Sequence, residues 1–544
     1  MTRVLVGFGA AAAWHASAQT AQTAQTAPAA PTPSPSAAPA AAELRFAIHE
    51  FEIEGNSVLG ALAVEAAVLP FMGDNRSMAD VEAARAALEK AYQTAGYLTV
   101  FVDVPEQRID EAVVRLAVTE GRIERLRVTG SRYYDQGRIL AQLPALATGG
   151  VPNFNAVQQQ ISALTREERR VQPVLRPGFE PGTVEVELKV TDQLPLTAGV
   201  ELNNRHAADT DPWRLQATLR YGNLFQRDHG LAVTFITAPR EPSQSMVLVA
   251  NYSLPLDRGW SFVGYALASD SVVEPLGATQ VIGKGNTIGA RWLHGSATAD
   301  ASHTWGFGFD FKNVKERVVA GSDTLATPLR YAPLQWSYAG NWPGRDTSWS
   351  LTSSFVGALR NWLQRRVDCP GNIGPVDQFA CKREGADGGF AYWRGDLRHT
   401  RRVAGIPGDW SARLAWQVAT QPLVSAEQFA AGGAETVRGY LEAEASGDSA
   451  LLGSLEWRSQ NLAPASGFVT SVQSIAFVDL ARTRLSRAAA GQPARVPLAG
   501  VGFGLRVRAA PQWTGEADIA WSQKSTKVSP AGDARLHVRL AGQF

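Results

Sequence analysis

Residues 305–312 read Trp-Gly-Phe-Gly-Phe-Asp-Phe-Lys, with an aromatic ring at every second position. Because successive side chains of a β-strand point to opposite faces, this spacing predicts a strand with one apolar and one polar face. The same alternation recurs at residues 215–221, 503–508 and 516–522. Residues 193–544 are therefore predicted to consist mainly of amphipathic strands.

Two kinds of protein contain such strands. A soluble β-sandwich turns the apolar faces inward, whereas a membrane β-barrel turns them outward to lipid. Residues 536–544 alternate and end on Phe544, which is typical of the closing strand of an outer-membrane barrel. Lipid offers no hydrogen-bond partners, so a sheet that crosses a membrane has to close and pair its edges. The 15 tryptophans also suit the interfacial girdles of a barrel.

The amino-terminal end has the features of an export signal. Arg3 precedes an apolar run over residues 4–14, and Ala16-Ser17-Ala18 follows, so residues 1–18 are predicted to be a cleaved signal peptide. No later run approaches the roughly 18 apolar residues of a transmembrane helix. Residues 19–45 are dominated by Ala, Gln, Thr, Pro and Ser, which predicts a disordered linker.

An internal repeat follows the linker. Residues 51–56 and 126–131 both form an alternating run that ends in glycine and a polar residue. In each unit, helical spacing and then two alternating runs come after this strand, which predicts the order β, α, α, β, β twice. Ser77 and Asn153 are the predicted helix caps. We therefore expect two small α/β domains, at residues 46–121 and 122–192.

Composition and motifs argue against several classes of function. The formal net charge is +1, from 52 basic and 51 acidic residues, so no global field favours nucleic acid. The sequence contains no His-Glu-x-x-His, no P-loop and no Gly-x-Ser-x-Gly. We therefore expect no enzyme, no catalytic residue, no cofactor and no metal site.

The two cysteines, Cys369 and Cys381, bracket a polar segment with glycine and proline. Secreted chains oxidise close cysteine pairs, so we expect a disulfide that closes a surface loop. The alternative is two unpaired thiols.

One stretch places an arginine on a glycine hinge. Residues 432–440 read Gly-Gly-Ala-Glu-Thr-Val-Arg-Gly-Tyr. Glycines on both sides of Val437 and Arg438 allow a tight turn with positive φ. Arg438 is therefore expected at a loop tip, where its guanidinium needs an anionic partner.

This stretch resembles the Val-Arg-Gly-Tyr loop tip of the POTRA-bearing outer-membrane barrels, and most of all the TpsB (ShlB-type) transporters of two-partner secretion. The repeated α/β units resemble ShlB-type POTRA domains. Residues 221–230 resemble the turn that joins early barrel strands of the same family, and residues 251–256 resemble the strand end that follows it. The resemblance covers most of the chain and implies a barrel of sixteen antiparallel strands behind two POTRA domains.

The resemblance also implies a site. The family's arginine loop folds into the barrel lumen and meets the aspartate of a Phe-x-Asp-x-Gly motif. Here that motif reads Phe477-Val478-Asp479-Leu480-Ala481, with alanine in place of the family's glycine. The expected site is therefore Val437, Arg438, Gly439 and Tyr440 on the loop, with Phe477 and Asp479 on the barrel wall.

The function that the resemblance implies is a protein translocation pore of the bacterial outer membrane, with its POTRA domains in the periplasm. Its expected partners are a secreted TpsA-like exoprotein of the adhesin or haemolysin class, outer-membrane lipid, and the barrel assembly machinery during biogenesis. An assembly factor for other outer-membrane proteins, or a passive porin or adhesin, remains an alternative. Arg438 is expected to act in transport, and the alternative is that it only stabilises the barrel.

Overall fold

The computed structural model describes residues 44–109, 111–276, 279–320, 323–360, 362–363, 365–369, 374–403, 405, 407–463 and 467–544. The expected signal peptide, and all of the expected linker except Leu44 and Arg45, lie outside these ranges. The boundary between two compact units falls between Leu194 and Pro195.

The first unit begins with an α/β domain. Its elements are β1 (Arg45–Ile48), β2 (Glu50–Glu54), α1 (Ala61–Val68), β3 (Gly73–Ser77), α2 (Met78–Thr94), β4 (Val100–Asp103) and β5 (Val113–Glu120). Strand β5 lies between β2, to which it is parallel, and β4, to which it is antiparallel. Strands β1 and β3 pair with each other and are both additions to the predicted order. The polar sequence of β3, Gly-Asp-Asn-Arg-Ser, carries no alternation that would predict a strand.

Helix α2 starts as the sequence predicts. Ser77 and Asp80 form a capping box, in which the Asp80 carboxylate accepts the Ser77 backbone N–H at 2.8 Å. These hydrogen bonds hold the pKa of the Asp80 carboxyl below its usual value. The face of α2 that carries Val81, Ala84 and Leu88 is buried against the sheet.

A second α/β domain repeats this plan. Its elements are β6 (Arg122–Thr129), α3 (Gln136–Ala141), α4 (Phe154–Leu164), β7 (Arg169–Pro177) and β8 (Thr183–Asp192). Strand β8 lies between β6, which is parallel, and β7, which is antiparallel. The Asn153 side chain caps α4 by accepting the N–H groups of Asn155 and Ala156.

The repeated glycine has the same physical role in both domains. Gly55 follows β2 with φ +88°, and Gly130 follows β6 with φ +81°. A Cβ atom would lie 2.2 Å from the Val118 carbonyl oxygen at Gly55, and 2.3 Å from that of Val190 at Gly130. In each domain, the first strand of the three-stranded sheet thus ends against the backbone of the neighbouring last strand, where only glycine fits.

The second unit is a closed antiparallel barrel. Its strands, together with short strands and a helix in the loops, are β9 (Leu196–Asn203), β10 (Arg214–Leu224), β11 (His229–Thr237), β12 (Ser245–Pro255), β13 (Trp260–Leu276), β14 (Thr279–Ala297), β15 (Ser302–Ala320), β16 (Asp323–Tyr331), β17 (Leu334–Pro343), β18 (Thr347–Gly357), β19 (Arg366–Val367), β20 (Val376–Asp377), α5 (Gln378–Lys382), β21 (Ala391–Arg402), β22 (Asp409–Ala419), β23 (Phe429–Ala431), β24 (Ala445–Gly447), β25 (Ser449–Arg458), β26 (Val469–Arg484), β27 (Arg495–Ala509), β28 (Trp513–Ser522) and β29 (Ala534–Gln543).

Within the described residues, the barrel wall has sixteen strands. Strands β16 and β17 count as one of them, because both pair with β15 as two parts of a single strand. The short pairs β19–β20 and β23–β24 lie in loops. Strand β29 closes the barrel on β9. The predicted fold of two POTRA-like domains and a sixteen-stranded barrel is confirmed.

The alternation that predicted the strands separates the two surfaces of the wall. Phe307 and Phe309 are 52% and 39% exposed on the outer face, while Asp310 between Phe309 and Phe311 is buried inside. The apolar faces thus point outward, and a soluble sandwich is ruled out. In the part of the chain that the structure describes, no helix is long and apolar enough to cross a membrane.

Prediction on the repeat glycines. Gly55→Ala and Gly130→Ala should each lower the free energy of unfolding of their own domain by about 1–3 kcal/mol or more, since strained φ and atomic overlap combine. Gly149→Ala is the matched control: Gly149 also has positive φ, +82°, but nothing lies within 4 Å of an added Cβ. Pulse proteolysis of the full-length protein in rising urea measures the difference. Equal losses for Gly130→Ala and Gly149→Ala would show that the close approach to Val190 does not matter.

Candidate functional site

The connection between β22 and β25 folds back into the barrel. It contains the two-stranded sheet β23–β24, and its tip spans the Val-Arg-Gly-Tyr sequence. Val478 and Leu480 are exposed on the outer surface, so Asp479 between them faces the lumen, where it is 1% exposed. The tip lies against this inner wall, because Arg438 bonds Asp479 directly.

Glycines shape the tip. Gly432, Gly433 and Gly439 all have positive φ, between +96° and +107°. On the facing wall, a Cβ at Gly500 would lie 2.0 Å from the Arg438 carbonyl oxygen. The loop backbone therefore rests directly on strand β27, at a position where any side chain would push it away.

The Arg438 guanidinium is held on several sides. Its Nε and Nη2 atoms donate to the two oxygens of Asp479 at 2.8 and 3.0 Å, which is a bidentate pair. Its Nη1 atom donates to Glu456 at 3.0 Å and to Asp518 at 3.5 Å. The guanidinium carbon lies 3.3 Å from the centre of the Phe477 ring. We call these four wall residues the guanidinium cradle.

The spacing of Phe477 and Asp479 follows from strand geometry. Residues two apart on a strand share a face, so β26 alone provides both the aromatic ring and the carboxylate. Ser454, opposite Asp479 on β25, donates its hydroxyl to Asp479 Oδ1 at 2.6 Å. Ala481 keeps regular pairing with Leu452, so the alanine in place of the family's glycine leaves the strand intact.

Ion pairs continue from the cradle around the wall. Asp518 accepts from Arg506 Nη2 at 2.8 Å, and Arg506 lies 3.7 Å from Glu516. Arg539 then bridges Glu516 and Glu201, at 2.8 Å each. Since Arg539 is on β29 and Glu201 on β9, the network reaches across the strand pair that closes the barrel.

Neighbouring loop residues bond the same wall. The Tyr440 hydroxyl lies 3.0 Å from the carbonyl oxygen of Ala499 and 2.8 Å from that of Lys524, and it also accepts their N–H groups. The Gly439 N–H donates to His537 Nε2 at 3.1 Å. Val437 and Tyr440 are fully buried. The tip is therefore fixed by backbone and side-chain contacts to several strands.

The side of the tip nearest β9 is tied by charge. Glu435 pairs with Arg205 at 2.7 Å, and its carbonyl oxygen accepts from Arg413 Nη1 at 2.6 Å. The Glu442 N–H donates to the His206 carbonyl oxygen at 3.0 Å. Arg205 and His206 belong to the segment that follows β9, so the loop contacts both sides of the closing strand pair.

The base of the loop rests on two buried carboxylates. Asp448 accepts from Arg383 and from the N–H groups of Leu423 and Ser486, at 2.9 and 2.7 Å. Glu427 accepts from Lys312, Tyr331 and Tyr392, at 2.6, 2.6 and 2.7 Å. Both groups are almost fully buried and satisfied.

Arg383 connects this base to the cysteines. Cys369 and Cys381 are joined by a disulfide across 12 residues, and Cys381 is in α5. Arg383 directly follows α5 and bonds Asp448. The disulfide thus closes the segment that braces the arginine loop.

The structure brings together every loop and wall residue expected from the sequence: Val437, Arg438, Gly439, Tyr440, Phe477 and Asp479. Sequence reasoning missed Glu456, Asp518 and His537, which line the site from β25, β28 and β29. Their position inside alternating strands was a signal, since polar residues there face the lumen, but the sequence does not give the strand register that aligns them.

Comparisons with known proteins agree with this geometry. The ShlB-type POTRA domain model matches residues 46–121, and the model for the haemolysin secretion/activation protein ShlB/FhaC/HecB matches residues 363–507, which include the loop and Asp479. The chain thus carries both a ShlB-type POTRA domain and a ShlB/FhaC/HecB secretion/activation domain, which confirms the resemblance to the transporters of two-partner secretion. This transporter resides in the outer membrane, with its POTRA domains in the periplasm.

Relatives and solved structures are similar along most of the chain. The outer membrane transporter CdiB of Escherichia coli O6:K15:H31 is 24% identical over 82% of this transporter and 74% of its own length. The structure of CdiB from Escherichia coli aligns with a TM-score of 0.61, 18% identity, and coverage of 94% and 93%. CdiB from Acinetobacter baumannii aligns with a TM-score of 0.54, 15% identity, and coverage of 92% and 90%. These structures share the fold.

Prediction on the buried pair. Arg438→Ala and Asp479→Ala should each lower the free energy of barrel unfolding by about 3–5 kcal/mol, because each leaves a buried partner uncompensated. The double variant should lose less than the sum, with a coupling of about 1–3 kcal/mol. Urea unfolding followed by tryptophan fluorescence measures the cycle.

Arg458→Ala is the control for this cycle, since Arg458 pairs with Glu456 but is 44% exposed. Its loss should cost less than about 1 kcal/mol. Additive losses for Arg438 and Asp479 would mean that their contact is not what holds the loop.

Proposed function

We propose that the transporter takes up an unfolded exoprotein at its POTRA domains and passes it through the barrel to the cell surface. The observation that carries this proposal is the Arg438 loop, which occupies the lumen and is fixed to the wall by polar contacts. These contacts are hydrogen bonds and ion pairs, which another polar group can replace, so the loop is suited to leave and return. The proposed role is transport without catalysis.

Uptake is proposed at the sheet edges of the first unit. Strand β4 ends one side of the first POTRA sheet, and β7 ends one side of the second. An extended polypeptide adds to such an edge by main-chain hydrogen bonds, which recognise an unfolded chain with little regard to its sequence. The exoprotein would be of the TpsA-like adhesin or haemolysin class.

Passage requires the loop to shift. The tip contacts β25 to β29 and the segment after β9, so an exported chain has to displace it from that wall. The sequence holds no P-loop, so the proposed driving force is folding of the exoprotein outside, which removes it from the unfolded pool. Displacement then has to be reversible, and Arg438 returns to Asp479 when the lumen empties.

The alternative function is an assembly factor for other outer-membrane proteins. BamA from Haemophilus ducreyi lacking POTRA domains 1–3 aligns with a TM-score of 0.53 and 14% identity, over 92% of this chain and 100% of that one. This likeness shows a shared fold. An assembly factor would, on loss, deplete outer-membrane proteins in general, whereas a dedicated transporter would deplete one secreted protein.

Prediction on locking the loop. In the variant Arg205→Cys/Glu435→Cys, a short bis-maleimide should tether the loop to the segment after β9, since the two native side chains touch at 2.7 Å. The native cysteines are already joined and do not react. The tethered transporter should stop exporting, while the same variant without cross-linker exports. Full export after complete cross-linking would show that this side of the loop need not move.

Prediction on secretion. Cells with Arg438→Ala at matched outer-membrane abundance should release much less of one large exoprotein, because the loop loses its resting position on the wall. Arg458→Ala is the matched control, as it removes a neighbouring lumen arginine without freeing the loop. Quantitative analysis of culture supernatants gives the result. Normal export by Arg438→Ala would leave Arg438 with a structural role only.

A further inference from the structure

We infer that the guanidinium cradle is a binding site for arginine side chains of the exported polypeptide, and that Arg438 fills it at rest. The inference rests on the proposed function, because it assigns to the vacated wall a task during transport. It is based on the geometry of the cradle, which matches the shape of a guanidinium group. A site that only neutralised the charge of the loop would not need this match.

The cradle is built for one chemical group. Asp479 presents two oxygens in a fork that matches the Nε–Nη2 edge of a guanidinium, and Glu456 meets the remaining nitrogen. Phe477 supplies a flat face at 3.3 Å from the guanidinium carbon. A planar cation satisfies all three contacts at once, whereas an ammonium group has no plane to stack and no second nitrogen for the fork.

The cradle is also preformed without its occupant. Ser454 holds Asp479 in place by a hydrogen bond of 2.6 Å, and Arg506 orients Asp518 from the neighbouring strand. These supports come from wall strands and not from the loop, so they remain when the loop leaves. Fixed acceptors on rigid strands lose little entropy on binding, which favours a site that fills and empties repeatedly.

Charge favours refilling. When Arg438 leaves, the cradle keeps three carboxylates, Asp479, Glu456 and Asp518, against the two flanking arginines Arg458 and Arg506. At rest Asp479 is 1% exposed and Asp518 is 6% exposed, so departure of the loop opens both carboxylates to the lumen and leaves them without the guanidinium that paired them. An arginine of the passing chain restores the same contacts and competes directly with Arg438 for the wall.

The test uses purified full-length Arg438→Ala, with methylguanidinium as the probe and methylammonium as the charge-matched control. Methylguanidinium should raise the thermal unfolding midpoint of Arg438→Ala at concentrations about tenfold lower than methylammonium, because only a planar fork fits the cradle. Wild type should not respond, since Arg438 fills the site. The variant Arg438→Ala/Asp479→Asn should lose the selectivity.

A second lumen arginine provides the matched control variant. Arg413→Ala removes a guanidinium that pairs with Asp396 at 2.7 Å, and it should show no preference for methylguanidinium. Equal effects of the two probes on Arg438→Ala, or equal selectivity with and without Asp479, would overturn the inference. If Arg438→Ala does not assemble, its refolding yield with each probe becomes the measurement, judged by the same criterion.

A peptide arm then tests access by a polypeptide. Unstructured glycine-serine peptides that carry either arginine or lysine at the same positions are applied to single Arg438→Ala barrels in planar bilayers. The arginine peptide should block the current about tenfold longer than the lysine peptide. Equal block times would exclude the exported chain as an occupant. Neither the probe experiment nor the peptide experiment uses a secreted protein. A failed secretion assay and a cradle that does not select guanidinium are therefore separate results.

Discussion

Backbone groups in lipid have to find their partners within the protein, and this constraint determines the rest of the structure. It forces the sheet to close, and the closing pair is the shortest contact of the wall: Arg539 to Gln543 face β9 in register, and Phe544 extends the pairing by exchanging backbone hydrogen bonds with Ala198. Beyond that stretch the Asn204 side chain continues the pairing, by accepting the Val538 N–H at 2.8 Å and donating to the Leu536 carbonyl oxygen at 2.7 Å. A side chain thus completes the backbone ladder where the two strands separate.

Closure also determines the character of the interior. Because the apolar faces are turned to lipid, the inward faces are polar, and charged groups inside have to balance one another at close range. The ion pairs that begin at Arg438 and end at Glu201 do this across β25 to β29 and β9. The loop is one member of a network that also spans the closing strands. The same ion pairs therefore hold the loop in position and connect the two ends of the barrel.

The period-two alternation made the wall predictable from sequence, and the glycine at the end of each first strand revealed the repeat. The glycines predicted the loop tip, but the identity of its aspartate partner was predictable only through resemblance, since no local pattern links Arg438 to a residue 41 positions away. Glu456 and Asp518 were missed because which polar residues meet inside depends on the shear of the barrel, a property of all strands together. Strand β3 was missed because its five polar residues show no alternation of apolar and polar side chains.

The choice of arginine at the loop tip follows from the cradle. A lysine would supply the charge that Asp479 requires, but its ammonium group could neither donate to both carboxylate oxygens as a fork nor lay a plane on the Phe477 ring. Arginine satisfies the fork, the ring and Glu456 together, and so it holds a loop in a polar lumen where apolar packing alone would not be specific. Because Arg438 makes all of these contacts, a group other than another guanidinium displaces it from the cradle with difficulty. A lumen that must be closed at rest and open to unfolded chains gains from this, because the residue that closes it and the residue best able to displace it have the same chemistry.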